Sequence, residues 1–233
     1  MKRCVLTASA LLLSLISFAQ SSTLSNLLSN PVPMEPYGKF NLSYSPTTLE
    51  FDKSYDIDDW DFEGYSVEYV SGSNVIDGMP VFLEWGVGVE LLTMSDKERG
   101  SYEGYDYKIT SKTNIWDLYV PVNLGYKVAL KENIIVMPYV GIKAQWNVSG
   151  KQVIEYDIDG IDSDEEEASL FDEDEWGDAT LKRTWLGWHI GATVEVNKWN
   201  FGVRYGSSFT DEFFEDIDEC ALTTTLLTIG MRF

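Results

Sequence analysis

One stretch of the chain, residues 81–92, constrains the fold more than any other. In this stretch, "VFLEWGVGVELL", an apolar residue occupies every second position, and glycines and carboxylates occupy most of the positions between. A period of two over this length predicts a β-strand, because successive side chains of a strand point to opposite faces of the sheet. The two faces of this strand must therefore lie in different surroundings.

The same alternation recurs in seven further stretches, and helical periodicity is hard to find. These stretches are "YGKFNLSY", "GYSVEYV", "DLYVPVNLGYKV", "VMPYVGIKAQW", "WLGWHIGATVEV", "WNFGVRY" and the C-terminal "ALTTTLLTIGMRF". The alternation therefore predicts an all-β fold with eight strands. All-β chains of this length commonly form a single domain.

The predicted connections between the strands alternate in length. The short ones are "SGSNVIDGMP", "LKEN" and the pair Asn197–Lys198. The long ones are acidic: "DKSYDIDDWDFEG", "SDKERGSYEGYDYKITSK", residues 152–180 and "DEFFEDIDE". Short periplasmic turns and longer outer loops are typical of outer-membrane barrels. We therefore predict an eight-stranded antiparallel transmembrane up-and-down β-barrel.

The start of the chain predicts export. A basic start is followed by an apolar run, residues 5–16, and by the small residues Ser17 and Ala19. This is the pattern of a signal peptide, because the run is shorter than the roughly 18 residues that a transmembrane helix needs. The predicted organisation is a signal peptide at 1–19, an N-terminal tail at 20–36 and an outer-membrane β-barrel domain at 37–233.

Alternation alone does not say which face of the strands points inward. A soluble, ligand-binding barrel would bury the apolar face, whereas a membrane barrel turns that face to lipid. The other face here is rich in glycine, amides and charges of both signs. Aromatic residues near the predicted strand ends resemble an interfacial girdle. They are Tyr37, Tyr65, Trp146, Trp185, Trp199 and Tyr205. We expect the apolar face to contact lipid.

The polar face then lines the lumen, where it carries ten charged residues. Five are basic and five acidic: Lys39, Lys127, Lys143, Arg204, Arg232, Glu68, Glu84, Glu90, Asp117 and Glu195. An eight-stranded barrel is just filled by its side chains, and buried charges need partners. We predict a lumen closed by ion pairs, with local bulges at Pro121 and Pro138, which cannot donate to a ladder.

Several segments resemble a known family. "LYVPVNLGYKV", "MPYVGIKAQW", "LGWHIGATVEV", "NFGVRYGSSFTD" and the terminal "LTIGMRF" resemble the last five strands of the small outer-membrane β-barrel domain family of Bacteroidetes (PorT-like). The resemblance covers roughly residues 37–233. It implies an outer-membrane location and insertion by the barrel-assembly machinery, which recognises the C-terminal strand. It implies no shared catalytic residues.

The acidic loop at 155–178 is the strongest candidate for a metal site. One register resembles a calcium loop, with Asp157, Asp159, Gly160 and Glu166 at the third, fifth, sixth and twelfth positions. Glu155 replaces the usual first aspartate, and strands rather than helices flank the segment. We expect a solvated acidic loop, with divalent cations as possible partners.

Catalytic signals are weak. His189 is the only histidine, and it falls on the polar face of a predicted strand. No Gly-x-Ser-x-Gly pattern accompanies it, so we expect a hydrogen-bonded network member. Cys220 is the one cysteine beyond the predicted signal, which excludes a cysteine-based metal site. We predict no catalytic, cofactor-binding or metal-binding residues and no cofactor.

The expected role is non-enzymatic. A net charge of −21 argues against nucleic acid. The expected partners are the lipid bilayer, the assembly machinery during insertion, and an unknown protein partner that meets the acidic loops. Two alternatives stay open at this stage: a lipid or peptide hydrolase at the loop rim, and a soluble periplasmic ligand-binding barrel.

Overall fold

The computed structural model describes residues 32–51, 59–102, 105–158, 164–171, 181–209 and 220–233. The predicted signal peptide and most of the predicted tail lie outside these residues. Within them the strands are β1 (Tyr37–Tyr44), β2 (Thr47–Phe51), β3 (Trp60–Asn74), β4 (Val81–Tyr102), β5 (Tyr105–Tyr126), β6 (Val128–Lys131), β7 (Ile134–Ile158), β8 (Asp164–Ser169), β9 (Thr184–Val196), β10 (Trp199–Ser208) and β11 (Cys220–Arg232). Among the described residues, no helix is long and apolar enough to span a membrane.

The strands form one closed antiparallel barrel. The order is β1-β11-β10-β9-β7-β5-β4-β3, and β1 pairs with both β3 and β11, which closes the ring. β2 continues β1 after a break at Ser45–Pro46 and pairs with the same two neighbours. β6 likewise continues β5, and both pair with β7. The wall therefore contains eight strands, which confirms the prediction from the alternating stretches.

One end of the barrel, called the turn end below, carries the short connections. These are residues 75–80, 132–133 and 197–198. Asn197 has φ 57°, the left-handed conformation that two-residue hairpin turns require and that Asn tolerates. Phe233 lies at the same end, where its amide donates to the carbonyl of Gly38 over 3.0 Å. The last strand is thus fixed against the first one at the turn end.

The opposite end, called the loop end, differs from the prediction. "SDKERGSYEGYDYKITSK" was expected as a loop, but β4 runs to Tyr102 and β5 begins at Tyr105. β7 runs to Ile158, and its last part pairs with β8 as well as with β5. The charged composition resembles a loop, yet β-formers such as Tyr107 and Ile109 alternate with polar residues, and Lys112 pairs with Glu155 across the strands. β4, β5, β7 and β8 therefore extend beyond the barrel as a four-stranded sheet, called the extension below.

The prediction of bulges at the two prolines was wrong. The ladder between β4 and β5 has a gap at residues 86–87, beside Pro121. A second gap separates β5 from β6, opposite Pro138. Neither gap changes the register. The register shifts lie elsewhere, between Trp116 and Asp117 and between Ala129 and Lys131. The missing proline N–H therefore costs a local hydrogen bond without inserting an extra residue.

The apolar face of the strands points outward. Exposed side chains of the wall include Phe40, Leu42, Tyr65, Val67, Trp85, Val87, Val89, Leu118, Val140, Ile142, Trp146, Trp199, Phe201, Val203, Ile229 and Phe233. A soluble barrel of the lipocalin type requires the reverse arrangement, so that alternative is wrong. Two of the predicted girdle residues are also corrected. Tyr37 and Trp185 are only 5% and 8% exposed and point into the barrel, because each falls on the inward side of its strand.

The polarity of the two faces reverses near the loop end. On β3, the outward residues change from Val67 and Tyr65 to Glu63 and Asp61, while the inward residue at this level is Phe62. An apolar cluster consequently closes the interior at the loop end. It comprises Leu49, Phe51, Phe62, Leu92, Ile115, Leu181, Trp185, Cys220 and Leu222, with Trp60, Met94, Leu170 and Phe171 packed against it. The reversal marks the level at which water replaces the apolar surroundings of the wall.

Candidate functional site

The interior nearest the turn end contains a dense ion-pair network. Lys39 Nζ lies 2.7 Å from Glu84 Oε1 and 3.0 Å from Glu195 Oε1. Glu195 also faces Lys127 at 3.6 Å and Arg232 at 3.0 Å. Five strands of the wall supply these groups: β1, β4, β9, β11 and the strand that β5 and β6 share. The network therefore ties strands across the barrel as well as neighbouring ones.

Tyr37 completes this network from the first strand. Its hydroxyl donates to Glu84 Oε1 over 2.6 Å, and its ring lies 3.6 Å from Lys127 Nζ. An aromatic face beside an ammonium group gives a cation–π contact that strengthens when water is excluded. Tyr37 thus acts as an interior support rather than as part of an interfacial girdle.

A second layer lies around Glu68 in the middle of the barrel. Glu68 Oε2 pairs with Arg204 Nη2 at 3.4 Å, and Glu68 Oε1 accepts a hydrogen bond from Asn41 over 3.0 Å. Asn200 in turn donates to Asn41 Oδ1 over 3.0 Å. The buried charge of Glu68 is therefore compensated by a cation and an amide, as a group removed from water requires.

His189 lies in the same part of the interior. The ring is buried, and Nε2 lies 2.5 Å from Asn123 Oδ1, so this nitrogen carries the proton that the amide oxygen accepts. Its ring also meets Tyr139 edge-on at 6.1 Å between centroids. These contacts agree with the prediction that His189 is a member of a hydrogen-bonded network.

A third layer lies towards the loop end. Glu90 pairs with Lys143 at 3.4 Å and accepts a hydrogen bond from Ser45 over 2.5 Å. Asp117 stands opposite Glu90 in the β4–β5 register and accepts from the amide of Gln145 over 2.5 Å. Among the described residues, nine of the ten predicted lumen charges form ion pairs, and Asp117 is held by an amide instead.

The interior leaves little open space between these layers. A cavity of about 20 Å³ lies beside Lys143, His189 and Arg204, below the apolar cluster. A volume of this size holds about one water molecule. Side-chain layers lie on the turn-end side of this cavity, and the apolar cluster lies on its loop-end side.

The residues that resemble a calcium loop do not lie on one surface. Glu155 pairs with Glu165 across the β7–β8 ladder, whereas Glu166 stands opposite Ile154 and so points to the other face of the sheet. Asp159 and Gly160 lie outside the described residues. Within the part of the chain that the structure describes, no group of three or more acidic, histidine or cysteine side chains is placed to hold a metal ion.

Two features of the interior were missed by sequence reasoning. The apolar cluster is indicated by "TTLEF", which forms β2. The apolar residues of this strand face inward, whereas those of β1 face outward. The extension is foreshadowed by the tyrosines and isoleucine of "YDYKIT", which alternate with polar residues. In both cases the signal was a change in which face is apolar, read as the end of a strand.

Comparison with protein-family models and with curated protein sequences gives no match. Solved structures of small outer-membrane proteins are similar at low identity. Ail of Yersinia pestis shares 14% identity with a TM-score of 0.39, over 86% of this chain and 100% of Ail. Neisserial surface protein A shares 12% with a TM-score of 0.40, over 84% and 95% of the two chains. The outer membrane enzyme PagL shares 11% with a TM-score of 0.37, over 81% and 97%. All three TM-scores lie below 0.5, so the fold assignment rests on the closed strand pairing and the outward apolar face of this chain.

Proposed function

We propose that this protein is a non-enzymatic β-barrel of a Gram-negative outer membrane, which holds an acidic surface structure outside the cell for a binding partner. The observation that carries this proposal is the arrangement of the wall, with ion pairs inside and apolar side chains outside. The finer assignment to the PorT-like family belongs to the same proposal and is supported by the strand segments quoted above.

The outward apolar band has the height of a bilayer. On β5 it runs from Trp116 to Tyr126, which is about 33 Å along a strand. A strand tilt of about 40° reduces this to a height of about 25 Å, close to the apolar band of known barrels. Exposed apolar side chains each gain roughly 1.5–3 kcal/mol on leaving water, so a band of this size favours lipid strongly.

The interior supports a structural role for the ionisable residues. Each carboxylate of the three layers has a cation or a hydrogen-bond donor within reach, and the cavity beside Lys143, His189 and Arg204 holds about one water molecule. A pathway for ions or substrate requires a continuous polar cavity, for which these layers leave no room. We therefore propose a closed lumen that stabilises the barrel.

The loop end is the proposed site of partner binding. The extension carries a strand, β8, whose sequence "DEEEAS" is exposed along its whole length. A charged edge strand of this kind resists adding another strand, so contact through side chains is favoured over β-augmentation. An acidic surface on a strand that pairs with β7 fits a partner that offers basic side chains. Divalent cations are a further candidate at this surface.

Cell fractionation tests the location. We expect the full chain in the outer-membrane fraction, and we expect unboiled and boiled samples to migrate differently on a detergent gel. Recovery in the soluble periplasmic fraction without this shift would overturn the proposal.

The hydrolase alternative has its own test. We expect no lipid or peptide hydrolysis by the purified barrel. Hydrolysis that disappears in the variant His189→Ala, with the gel shift retained, would replace the non-enzymatic proposal by the enzymatic one.

A further inference from the structure

A groove of about 660 Å³ opens on the outer surface of the barrel where β3 and β4 separate. The two strands pair as far as Glu63 and Thr93. Beyond this rung β3 pairs with β2, whereas β4 continues into the extension and pairs, among the described residues, only with β5. A volume of this size lies within the range of about 300–1,000 Å³ that is typical of ligand pockets. The strands therefore leave a cleft at this point rather than a flat surface.

The lining of the groove combines apolar surface with carboxylates. Tyr44, Pro46 and Met94 supply apolar atoms, and β3 contributes Asp61 and Glu63. An apolar surface beside a charged group suits a long side chain that has an apolar stem and a charged head. The charge of the lining then decides which kind of head fits.

The two carboxylates of the groove have hydrogen-bond donors but no cation. The Thr48 hydroxyl donates to Asp61 over 2.7 Å, and the Tyr65 hydroxyl donates to Glu63 over 3.3 Å. Neither carboxylate forms an ion pair with a described residue. A carboxylate accepts several hydrogen bonds, so both groups can still accept from a ligand.

One cation, Lys112, also lines the groove, but it is already paired. Its ammonium group lies 2.5 Å from Glu155 Oε1 on β7, which flanks β5 on the side away from β4. The ammonium group is therefore compensated by a strand that does not line the groove.

The charges on the outward face of the extension balance one another. By the strand registers this face carries five basic and five acidic residues: Lys97, Arg99, Lys108, Lys112, Lys151, Asp106, Glu155, Asp157, Glu165 and Glu167. On the other side of the groove, β2 and β3 contain no basic residue. The exposed carboxylates on and next to these two strands are Glu50, Asp59, Asp61 and Glu63. The unbalanced charge around the groove is therefore negative.

We propose that this groove binds a lysine or arginine side chain from an exposed segment of a partner protein. This inference rests on the proposed function, and it adds a specific contact site to the acidic strand β8. Asp61 and Glu63 would accept charge-assisted hydrogen bonds from the head of the side chain, and the ring of Tyr44 would face its cation. Addition of a whole strand to β4 is disfavoured, because Lys97 and Arg99 lie on its free edge.

Disulfide tethering tests the proposal with the full barrel in phosphatidylcholine vesicles. Ser95→Cys places a thiol in the lining of the groove, whereas Cys220 is buried. The probe is the peptide Gly-Cys-Ser-Arg-Ser-Gly, and its control carries citrulline, a neutral side chain of similar shape, in place of arginine. The fraction of conjugated barrel is measured against the concentration of mercaptoethanol. We expect half conjugation of the arginine peptide at a concentration at least about threefold higher than for the citrulline peptide.

Two variants in the Ser95→Cys background show where this preference arises. Asp61→Asn with Glu63→Gln should abolish it. The matched control, Glu165→Gln with Glu167→Gln, removes two carboxylates of β8 and should retain it. Equal conjugation of the two peptides, an unchanged preference in the groove variant, or a loss of preference in the β8 variant would each overturn the inference.

A further comparison distinguishes a protein partner from a lipid with a cationic headgroup. We expect the preference to persist when phosphatidylethanolamine replaces half of the phosphatidylcholine. Its disappearance there would assign the groove to the lipid ammonium group and overturn the inference. The gel shift of each sample reports separately on whether the barrel is folded in the membrane, so failure at the groove is distinguishable from failure of the proposed function.

Discussion

Lys39 on β1 and Glu84 on β4 form a buried ion pair of 2.7 Å, with both side chains at most 5% exposed. The two strands are not neighbours in the wall, since β3 lies between them. The pair therefore spans the interior, and it shares Glu195 with two further cations. This arrangement makes the ion pairs part of what holds the barrel closed.

The first prediction concerns this pair. Lys39→Met removes the cation that faces two carboxylates, so we expect a loss of about 3–5 kcal/mol in the free energy of unfolding. Adding Glu84→Gln removes one of the stranded charges, so the double variant should be less destabilised than the two single effects together. Urea unfolding in lipid, followed by tryptophan fluorescence, measures both. Effects that add to within about 0.5 kcal/mol would show that the two residues are not coupled.

The second prediction tests the orientation of the wall. Val87 lies outward in the middle of the apolar band of β4 and is 49% exposed. Val87→Lys places a charge in lipid, which should cost about 2–4 kcal/mol of unfolding free energy near the bilayer midplane. Ser95→Lys is the matched control, because it lies on the same face of the same strand but beyond the band. Equal stability of the two variants in vesicles would contradict the membrane placement of this face.

The alternating stretches sufficed to predict the wall of the barrel. Particular residues show why the apolar cluster and the extension were not predicted. The alternation of side chains along each strand sufficed to place Glu84 and Glu195 inside, because a shift by one residue would move every side chain of the strand to the other face. Alternation could not place Phe62, because the assumption that apolar residues face outward fails beyond the membrane. There the inward face is the dry one, and Phe62 is buried.

The extension was not predicted for a related reason. Lys112 and Glu155 are both polar, and a local reading assigned their segments to loops. Their 2.5 Å pairing joins residues 43 positions apart, and such a contact is invisible within a short window of sequence. Cross-strand pairs of this kind stabilise a sheet only once the neighbouring strand is in place.

The third prediction concerns conduction. The three interior layers and the apolar cluster leave a cavity of about 20 Å³ in the described interior, so we expect no conductance step of porin size in planar bilayers. Lys39→Ala combined with Glu195→Ala removes two long side chains from the layer nearest the turn end. This variant should still conduct poorly, because the apolar cluster at the loop end remains. A large, stable step in the unmodified protein would show that the interior opens.

The fourth prediction concerns the end of the chain. Phe233 stacks on Tyr69 with ring centroids 6.3 Å apart, and its backbone pairs with Gly38. Deleting Phe233 removes both contacts and the terminal aromatic that the assembly machinery is expected to recognise, so the membrane-inserted fraction should fall severalfold. Phe233→Tyr, which keeps the ring and the backbone, is the control and should insert normally. Purified protein refolded into vesicles without the machinery separates the two causes: a variant that refolds well in vesicles but inserts poorly in cells has lost the recognition signal, whereas one that fails in both has lost the closing contact between the last and first strands.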